Sequence, residues 1–363
     1  MLRYYWLITC LVYTLGSNAQ LTKRLDSLLH QQAAGQPGFA LLVEQDGRLL
    51  YNNQAGLANI ATKEKIQAST NFRMASLTKQ FTAMGILLLE KVHQLSVNDP
   101  IGKYLTGLPA GIGKQVRIKH LLTHSSGIMD YEELMAAAQT TQLLDADVLQ
   151  LLQKYDTTYF KPGTQFRYSN SGFCLLALII EKVSHQSYAA FIKQKIFAPL
   201  HMNASVVYEK NRAIAQRAMG YAKDSIGNTF LSDQSVTSAT KGDGGVYTSI
   251  NGYRKWVHAL QHNSLLNLAA VLQRLHFAAG DVPNSFYSAG WFYAATEPQI
   301  WFHSGSTCGF NNYVITVPAK KISIVFFSNL AENTILFRNI IEILYQSGFA
   351  DYSGLFALHQ LTR

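Results

Sequence analysis

Cysteine is scarce in this chain: three in 363 residues, at Cys10, Cys174 and Cys308. That is too few for a disulfide framework to serve as the scaffold. Charge is sparse as well, at 15% against 48% hydrophobic residues, which excludes disorder and suits a large packed core. The net charge of +9 comes from 31 Lys+Arg against 22 Asp+Glu, with no run of five or more basic residues. A nucleic-acid-binding tail is therefore excluded, and the charge reads as a dispersed, solubilising surface. No internal repeat or low-complexity linker divides the chain, so one large domain, or two intimate ones, is expected at this length.

The one extended apolar run at a terminus is Tyr4 to Leu15. Arg3 precedes it and Ser17-Asn18-Ala19 follows it, before Gln20. This is the pattern of a secretory signal peptide over residues 1–19, removed after Ala19. No later segment approaches membrane-spanning length, so the mature chain is expected to be exported, soluble, without a transmembrane segment, and monomeric. Cleavage leaves Cys174 and Cys308, which are expected as two free, mostly buried thiols.

The chain is organised around Asn71 to Lys79 and the apolar run Phe81–Leu89 behind it. Phe72 and Met74 end a short strand. Ser76 sits where a helix begins, and a helix apolar on all sides belongs at the protein's centre. Residues i and i+3 share a helical face, so Lys79 can bring its amine to the Ser76 hydroxyl. The first turn favours a negative oxygen, and burial is expected to depress the Lys79 pKa until the amine can accept a proton. Together these features describe an activated serine nucleophile. A bare Ser-x-x-Lys recurs by chance, and Ser238-Ala-Thr-Lys241 is a second copy. Only the first is followed by a core helix.

Alternating or apolar segments at both ends read as strands: Phe39–Val43 and Leu49–Tyr51 around Gln45-Asp46-Gly47, then Phe286–Ala294, Ile300–His303, Asn312–Val317 and Ile322–Ser328. Helices are expected at Leu21–Ala33 and Glu332–Tyr345, and between about 130 and 280 at Ala146–Tyr155, Gly172–Ser184, Tyr188–Phe197 and Gly252–Gln261. The fold class is α+β: an antiparallel sheet from the N- and C-terminal segments, flanked by helices, with a mostly helical inserted region. The hydrolase domain is expected over 20–349, its α/β part at about 20–75 and 283–349 and its helical part at about 80–282. Residues 350–363 form a tail.

Two further clusters fit this plan. Tyr168-Ser-Asn170 lies in a loop that runs into an apolar helix. A phenol beside Lys79 would have its ionised form favoured and could relay a proton, while Asn170 offers an amide to substrate or to Lys79. His303-Ser-Gly305-Ser306 ends a strand, where the Ser306 and Ser76 N–H groups could form an oxyanion hole. His303 could bind a carboxylate or shuttle a proton. Taken singly, each cluster has a structural explanation: a capping Asn, a packed Tyr, a buried His. His120 and His124 have metal-chelating spacing but lack the accompanying Glu. Gly242-Asp-Gly-Gly245 lacks the Lys-Ser/Thr ending of a phosphate loop and reads as a tight turn.

Ser76-x-x-Lys79, Tyr168-x-Asn170 and His303-x-Gly305, in that order, resemble the three motifs of penicillin-recognising serine hydrolases. The resemblance is to the class C β-lactamase-related branch, with its D-stereospecific peptidases and esterases. It extends to His120–Gly127, Lys161-Pro-Gly163, Pro199–Met202 and Gly244-Gly245, over about residues 30–345. It implies Ser76 as nucleophile, Lys79 and Tyr168 as proton-transfer groups, and Asn170, His303, Gly305 and Ser306 as substrate-binding residues. No metal or cofactor is implied, and the implied partner is a small-molecule or peptide substrate, cell-wall-derived peptides among them. His303 stands where lactamases usually carry lysine, which tilts the expectation toward peptidase, amidase or esterase activity. The rival expectation from another class is a non-catalytic binder or sensor of cell-wall peptides or β-lactams. A third is an adaptor acting through residues 350–363.

Overall fold

A computed structural model of the chain describes residues 19–30, 35–210, 212–280, 282–295 and 299–348. The expected tail, and the expected signal peptide apart from Ala19, lie outside the described residues. Eight strands form one antiparallel sheet: β1 Phe39–Gln45, β2 Arg48–Ala55, β3 Phe277–Ala278, β4 Ser285–Ser288, β5 Trp291–Ala294, β6 Ile300–Thr307, β7 Phe310–Val317 and β8 Ile322–Ser328. Their spatial order is β3-β4-β5-β6-β7-β8-β1-β2. The N-terminal hairpin thus joins the C-terminal strands through β1 and β8, with Phe39 opposite Ser328 and Gln45 opposite Ile322. Asp46 and Gly47 both take positive φ, which lets two residues close that hairpin.

Successive strand residues face opposite sides, and β8 shows what each side packs against. Phe327 points to one face, where it meets Tyr253 of helix α4 (Ile250–Gln261) and Phe72. Phe326 points to the other, against Phe337 of the C-terminal helix α5 (Thr334–Gln346). The first helix, α1 at residues 19–29, is tied to the sheet by Asp26, which accepts from the Tyr51 hydroxyl at 2.6 Å. Helix α2, Thr78–Lys91, is buried over almost its whole length. Its packing against α3, Asn170–Ser184, is so close that a Cβ at Gly85 would lie 2.8 Å from Ile180 Cδ1.

The expected class holds, with local corrections. The mostly helical middle of the chain also holds short strands: Val206–Val207 and Val246–Thr248 join Phe72–Arg73 in a small three-stranded sheet, and Tyr221–Lys223 pairs with Thr229–Leu231. The strand before Ser76 therefore pairs with Val246–Thr248, outside the main sheet. Phe286–Ala294 is not one strand but the hairpin β4–β5, turned by Ala289 and Gly290, both at positive φ. A Cβ on Gly290 would fall 2.6 Å from Gln80 Cα, so this turn packs directly on the head of α2. The α/β and helical parts also interlock across the expected boundary, since β3 lies before residue 283 and α4 packs on β8 and β1.

Candidate active site

The chain reaches Ser76 through a strained step. Ala75 takes φ of 48°, a left-handed conformation uncommon for a residue with a Cβ. Ser76 then occupies a single 3₁₀ turn, Ala75–Leu77, which leads straight into α2. Strand β6 lies against this turn. A Cβ at Gly305 would come 2.2 Å from the Met74 carbonyl oxygen, so only glycine allows the strand so near the serine.

Three of the expected residues meet at one atom. Lys79 Nζ donates to Ser76 Oγ at 3.0 Å, to Asn170 Oδ1 at 2.8 Å and to the Asp243 carbonyl at 3.1 Å. An ammonium has three donors and no acceptor, so this arrangement suits the protonated amine. The expectation that burial depresses the Lys79 pKa is corrected. Burial is the largest single influence and acts downward, but the Tyr168 oxygen, the Asp243 carboxylate and the Cys174 thiol together outweigh it, and the net direction is upward.

Tyr168 completes the cluster: Lys79 Nζ lies 4.9 Å from its ring centroid. Its hydroxyl is buried with no hydrogen-bond partner of normal geometry among the described residues. Burial raises the phenol's pKa, and Lys79 and Ser76 only partly offset this. The expectation of a phenol shifted toward its ionised form is thus corrected as well.

Asn170 is aimed by acidic neighbours. Its side-chain amide donates to Glu132 Oε1 at 3.0 Å, and its backbone N–H donates to Asp130 Oδ2 at 2.6 Å. Burial raises the Glu132 pKa, with Asp130 and Asp243 adding to it.

The cleft above Ser76 is lined by Arg73, Tyr131, Glu132, Asn170, Asp243 and Ser306, among others. Ser306 lies one residue before the Thr307–Phe310 pair that closes a two-residue hairpin. In such a hairpin the closing pair carries the ladder bonds, so Ser306 turns its N–H away from β7. The edge it faces is not covered by β5, whose pairing with β6 ends at Phe302. Cys308, at φ of 45°, forms the turn of that hairpin.

His303 is in a different place from the one its motif implies. It is fully buried, sits behind Tyr168, and does not line the cleft. Its Nδ1 donates to the Ser304 carbonyl at 2.6 Å, and its Nε2 pairs with the Tyr287 hydroxyl at 3.2 Å. The ring packs near Tyr168 and Phe292. An imidazole enclosed this way is placed to brace Tyr168 rather than to meet a substrate carboxylate. Strand parity carries the signal: His303 shares its side-chain face with Gly305, which turns inward on the serine turn.

His124 is the other residue whose place differs from its spacing. Its ring packs on Tyr168, tilted by 36° with centroids 4.1 Å apart, and its Nδ1 accepts from the Ser169 N–H at 3.1 Å. His120 Nδ1 instead accepts from the Arg117 N–H, so the two rings serve separate ends of one turn. Burial holds His124 well below the ordinary histidine range, helped by Lys79 and His303. Sequence reasoning also missed Arg73, Tyr131, Glu132 and Asp243 as cleft residues, because lone polar residues in a two-residue strand, a one-turn helix and a tight turn carry no spacing. Both Cys174, buried, and Cys308, half-buried, are free thiols.

Among the described residues no helix is long and apolar enough to cross a membrane. The Beta-lactamase family model matches residues 25–344. Penicillin-binding protein 4* of Bacillus subtilis is 30% identical over 313 residues, which cover 81% of this chain and 68% of that protein. Across the first curated relatives the chain spans 60% to 68% of their length. A penicillin binding protein from Bacillus halodurans superposes with a TM-score of 0.77 at 25% identity, covering 88% of this chain and 98% of that one. The D-amino acid amidase from Ochrobactrum anthropi SV3 shares the fold at a TM-score of 0.76 and 20% identity, over 92% of this chain and 99% of its own. With the family model spanning nearly all of the described chain, the protein belongs to the Beta-lactamase family.

Proposed function

We propose that the protein is an exported serine hydrolase that forms an acyl-enzyme on Ser76 and cleaves amide or ester bonds. The observation that carries this reading is the meeting of Ser76 Oγ, Lys79 Nζ and Asn170 Oδ1, with Tyr168 beside them, at the floor of an open cleft. A purely binding protein has no use for a serine held against a buried lysine.

Lys79 and Tyr168 act as one titrating unit, since their pKa values are raised together and each influences the other. Loss of one proton from the pair leaves a base beside Ser76. The Ser76 oxygen then forms a bond to the substrate carbonyl carbon, and its proton passes to the pair. That proton is delivered to the departing nitrogen or oxygen as its bond to carbon breaks. Water attacks the resulting ester, and Ser76 recovers a proton. The N–H groups of Ser76 and Ser306 are the donors for the oxyanion in both halves of the cycle.

The cleft also bears on the substrate. Glu132 stands beside Asn170, the His303 imidazole is buried against Tyr168 and outside the lining, and among the lining residues Arg73 donates to the Ser238 carbonyl at 2.9 Å. Glu132 and Asp243 offer an amine-bearing group carboxylate partners, while the Arg73 and Lys79 cations are already engaged by carbonyl and amide oxygens. An amino-acid amide or ester, of the kind named in the Ochrobactrum amidase, therefore suits it better than a penicillin or a D-Ala-D-Ala terminus. Intact-mass measurement after exposure to an activated ester and to a β-lactam tests the reading. The expected result is an adduct that is lost in Ser76→Ala. An adduct that survives that substitution, or none with any acylating reagent, removes the proposal. Acylation without turnover would favour a binding or sensing protein.

A further inference from the structure

We propose that Asp145, which opens the helix Asp145–Leu152, is a positioning residue for the proton-transfer centre: its carboxylate holds the loop that offers a carbonyl to Lys79. The inference rests on the Ser76 reading above. Asp145 is buried and touches neither Ser76 nor Lys79. Its oxygens accept the backbone N–H groups of Lys241, at 3.0 and 3.2 Å, and of Gly242, at 3.0 Å. The next residues carry the consequence. The Gly242 carbonyl accepts from Thr82 of α2 at 2.6 Å, and the Asp243 carbonyl accepts from Lys79 at 3.1 Å. Gly242 itself is fixed, since a Cβ there would lie 2.2 Å from the Phe173 carbonyl oxygen of α3. The loop is thus clamped by α2, α3 and one carboxylate.

Asp145, Cys174 and Asp243 also lie close enough together to be considered as cation ligands. Both Asp145 oxygens already accept N–H donors, however, and the Cys174 thiol is pushed well up by burial and by the two carboxylates. The cluster therefore works as a hydrogen-bond anchor.

The groups facing Asp145 are Asp243 and Lys241 from the loop, Cys174 from α3 and Tyr188. Burial is the largest influence on its carboxyl and Asp243 the next; against the two N–H donors they raise its pKa to about 7. Protonation would remove an acceptor from the loop, so the anchor weakens as pH falls through that value. Stability runs the other way. The folded pKa lies above the unfolded one, so this group's contribution is present at low pH and is lost as pH rises through about 7. Asp145 in its working form costs stability, as polar groups held for function often do.

The experiment follows hydrolysis of a p-nitrophenyl ester and the Tm across pH about 5 to 9 in wild type, Asp145→Asn and Asp243→Asn. Wild type should lose kcat on the acid side with a midpoint near 7, with KM changing little. Asp145→Asn should lower kcat at high pH by about ten- to a hundredfold, the scale of a displaced catalytic group, and abolish that acid limb. It should also flatten the rise in Tm on acidification. Asp243→Asn, which removes a neighbouring charge, should move the limb to lower pH, and it carries the test if Asp145→Asn does not fold. An acid limb unmoved in both variants, or wild-type kcat in Asp145→Asn, overturns the proposal. The Tm comparison needs no catalysis, and fluorophosphonate labelling reports Ser76 directly. A chain unlabelled at Ser76 that keeps the Tm difference would mark failure of the hydrolase reading and not of the anchor.

Discussion

The two walls of the cleft are built on opposite plans. The helical wall brings charge: Lys79 at the head of α2, Asn170 at the head of α3, Glu132 beside it and Asp243 from the loop, all joined by hydrogen bonds. The sheet wall brings backbone. Gly305 lets β6 approach the serine, Ser306 turns its N–H toward an uncovered edge, and the one ionisable side chain of that motif, His303, is buried behind Tyr168. On the proposed reading, protons move along the helical wall, and the sheet wall supplies one of the two donors that hold the reacting carbonyl. This division explains why the helical side needs exact side chains in a dry setting, where burial alone would neutralise a lysine, and the sheet side needs only strand geometry.

The comparison predicts that the helical wall is the less tolerant. Lys79→Ala removes the amine and leaves Asn170 and the Asp243 carbonyl facing a cavity. Activity on an amide should fall about a thousandfold through kcat, within the range for lost proton transfer. Stopped-flow acylation would check it, and a loss confined to KM would break the assignment of proton transfer to this wall. On the sheet wall, Ser306→Pro removes an N–H from an edge that β5 does not pair, so the ladder to β7 is expected to survive. The expected loss is about a hundredfold in kcat, the scale of one oxyanion donor. Ser306→Gly, which keeps the N–H, should cost far less, and equal losses in the two variants would transfer the role from backbone to side chain.

These same walls differ in how far the sequence discloses them. Ser76 and Lys79 were legible because i, i+3 spacing at a helix head puts side chains on one face, and Tyr168 and Asn170 through a motif order that resembles a known family. The sheet was legible from its alternating and β-branched strands at both chain ends. What was hidden depends on three-dimensional closure. Phe72 and Met74 did mark a strand, but its partners Val246–Thr248 and Val206–Val207 are too short for periodicity to register, and they exist as strands because burial leaves their backbone no water to bond. The Ala289–Gly290 turn interrupts an otherwise continuous apolar run, and only the contact of Gly290 with α2 explains it. Glu132 and Asp243 belong to the cleft because of where the Asp130 and Asp145 anchors hold their segments. The direction of the Lys79 shift was misjudged for a related reason. Desolvation can be read from an apolar helix, whereas the opposing influences of Tyr168, Asp243 and Cys174, which together outweigh it, come from elsewhere in the chain.

A smaller effect sharpens the charge contrast between the walls. Glu132→Gln keeps the acceptor for Asn170 and removes the charge. Between two esters that differ only in carrying a free or an acetylated amine, kcat/KM should shift by about tenfold toward the acetylated one, or about 1.4 kcal/mol. An unchanged ratio would detach substrate charge from the helical wall. Because burial raises the Glu132 pKa, the wild-type preference for the amine should fade on acidification at a higher pH than for an exposed glutamate.

The smallest effect concerns what stands behind the walls. His124 packs on Tyr168 and accepts the Ser169 N–H, which requires an unprotonated Nδ1. Its folded pKa is depressed by burial first, then by Lys79 and His303. A group shifted in this direction contributes stability that is fully present above its unfolded value of about 6.5 and is lost as pH falls below it. The slope is limited to about 1.4 kcal/mol per pH unit for one proton. His124→Phe keeps a ring against Tyr168 and has no proton to take up, so its unfolding free energy should vary less with pH between about 6.5 and 5 than that of the wild type. Denaturant titrations across this interval measure the difference. Equal pH dependence would mean that His124 is not the group that titrates in this interval, and that its packing on Tyr168 carries no proton-linked share of stability.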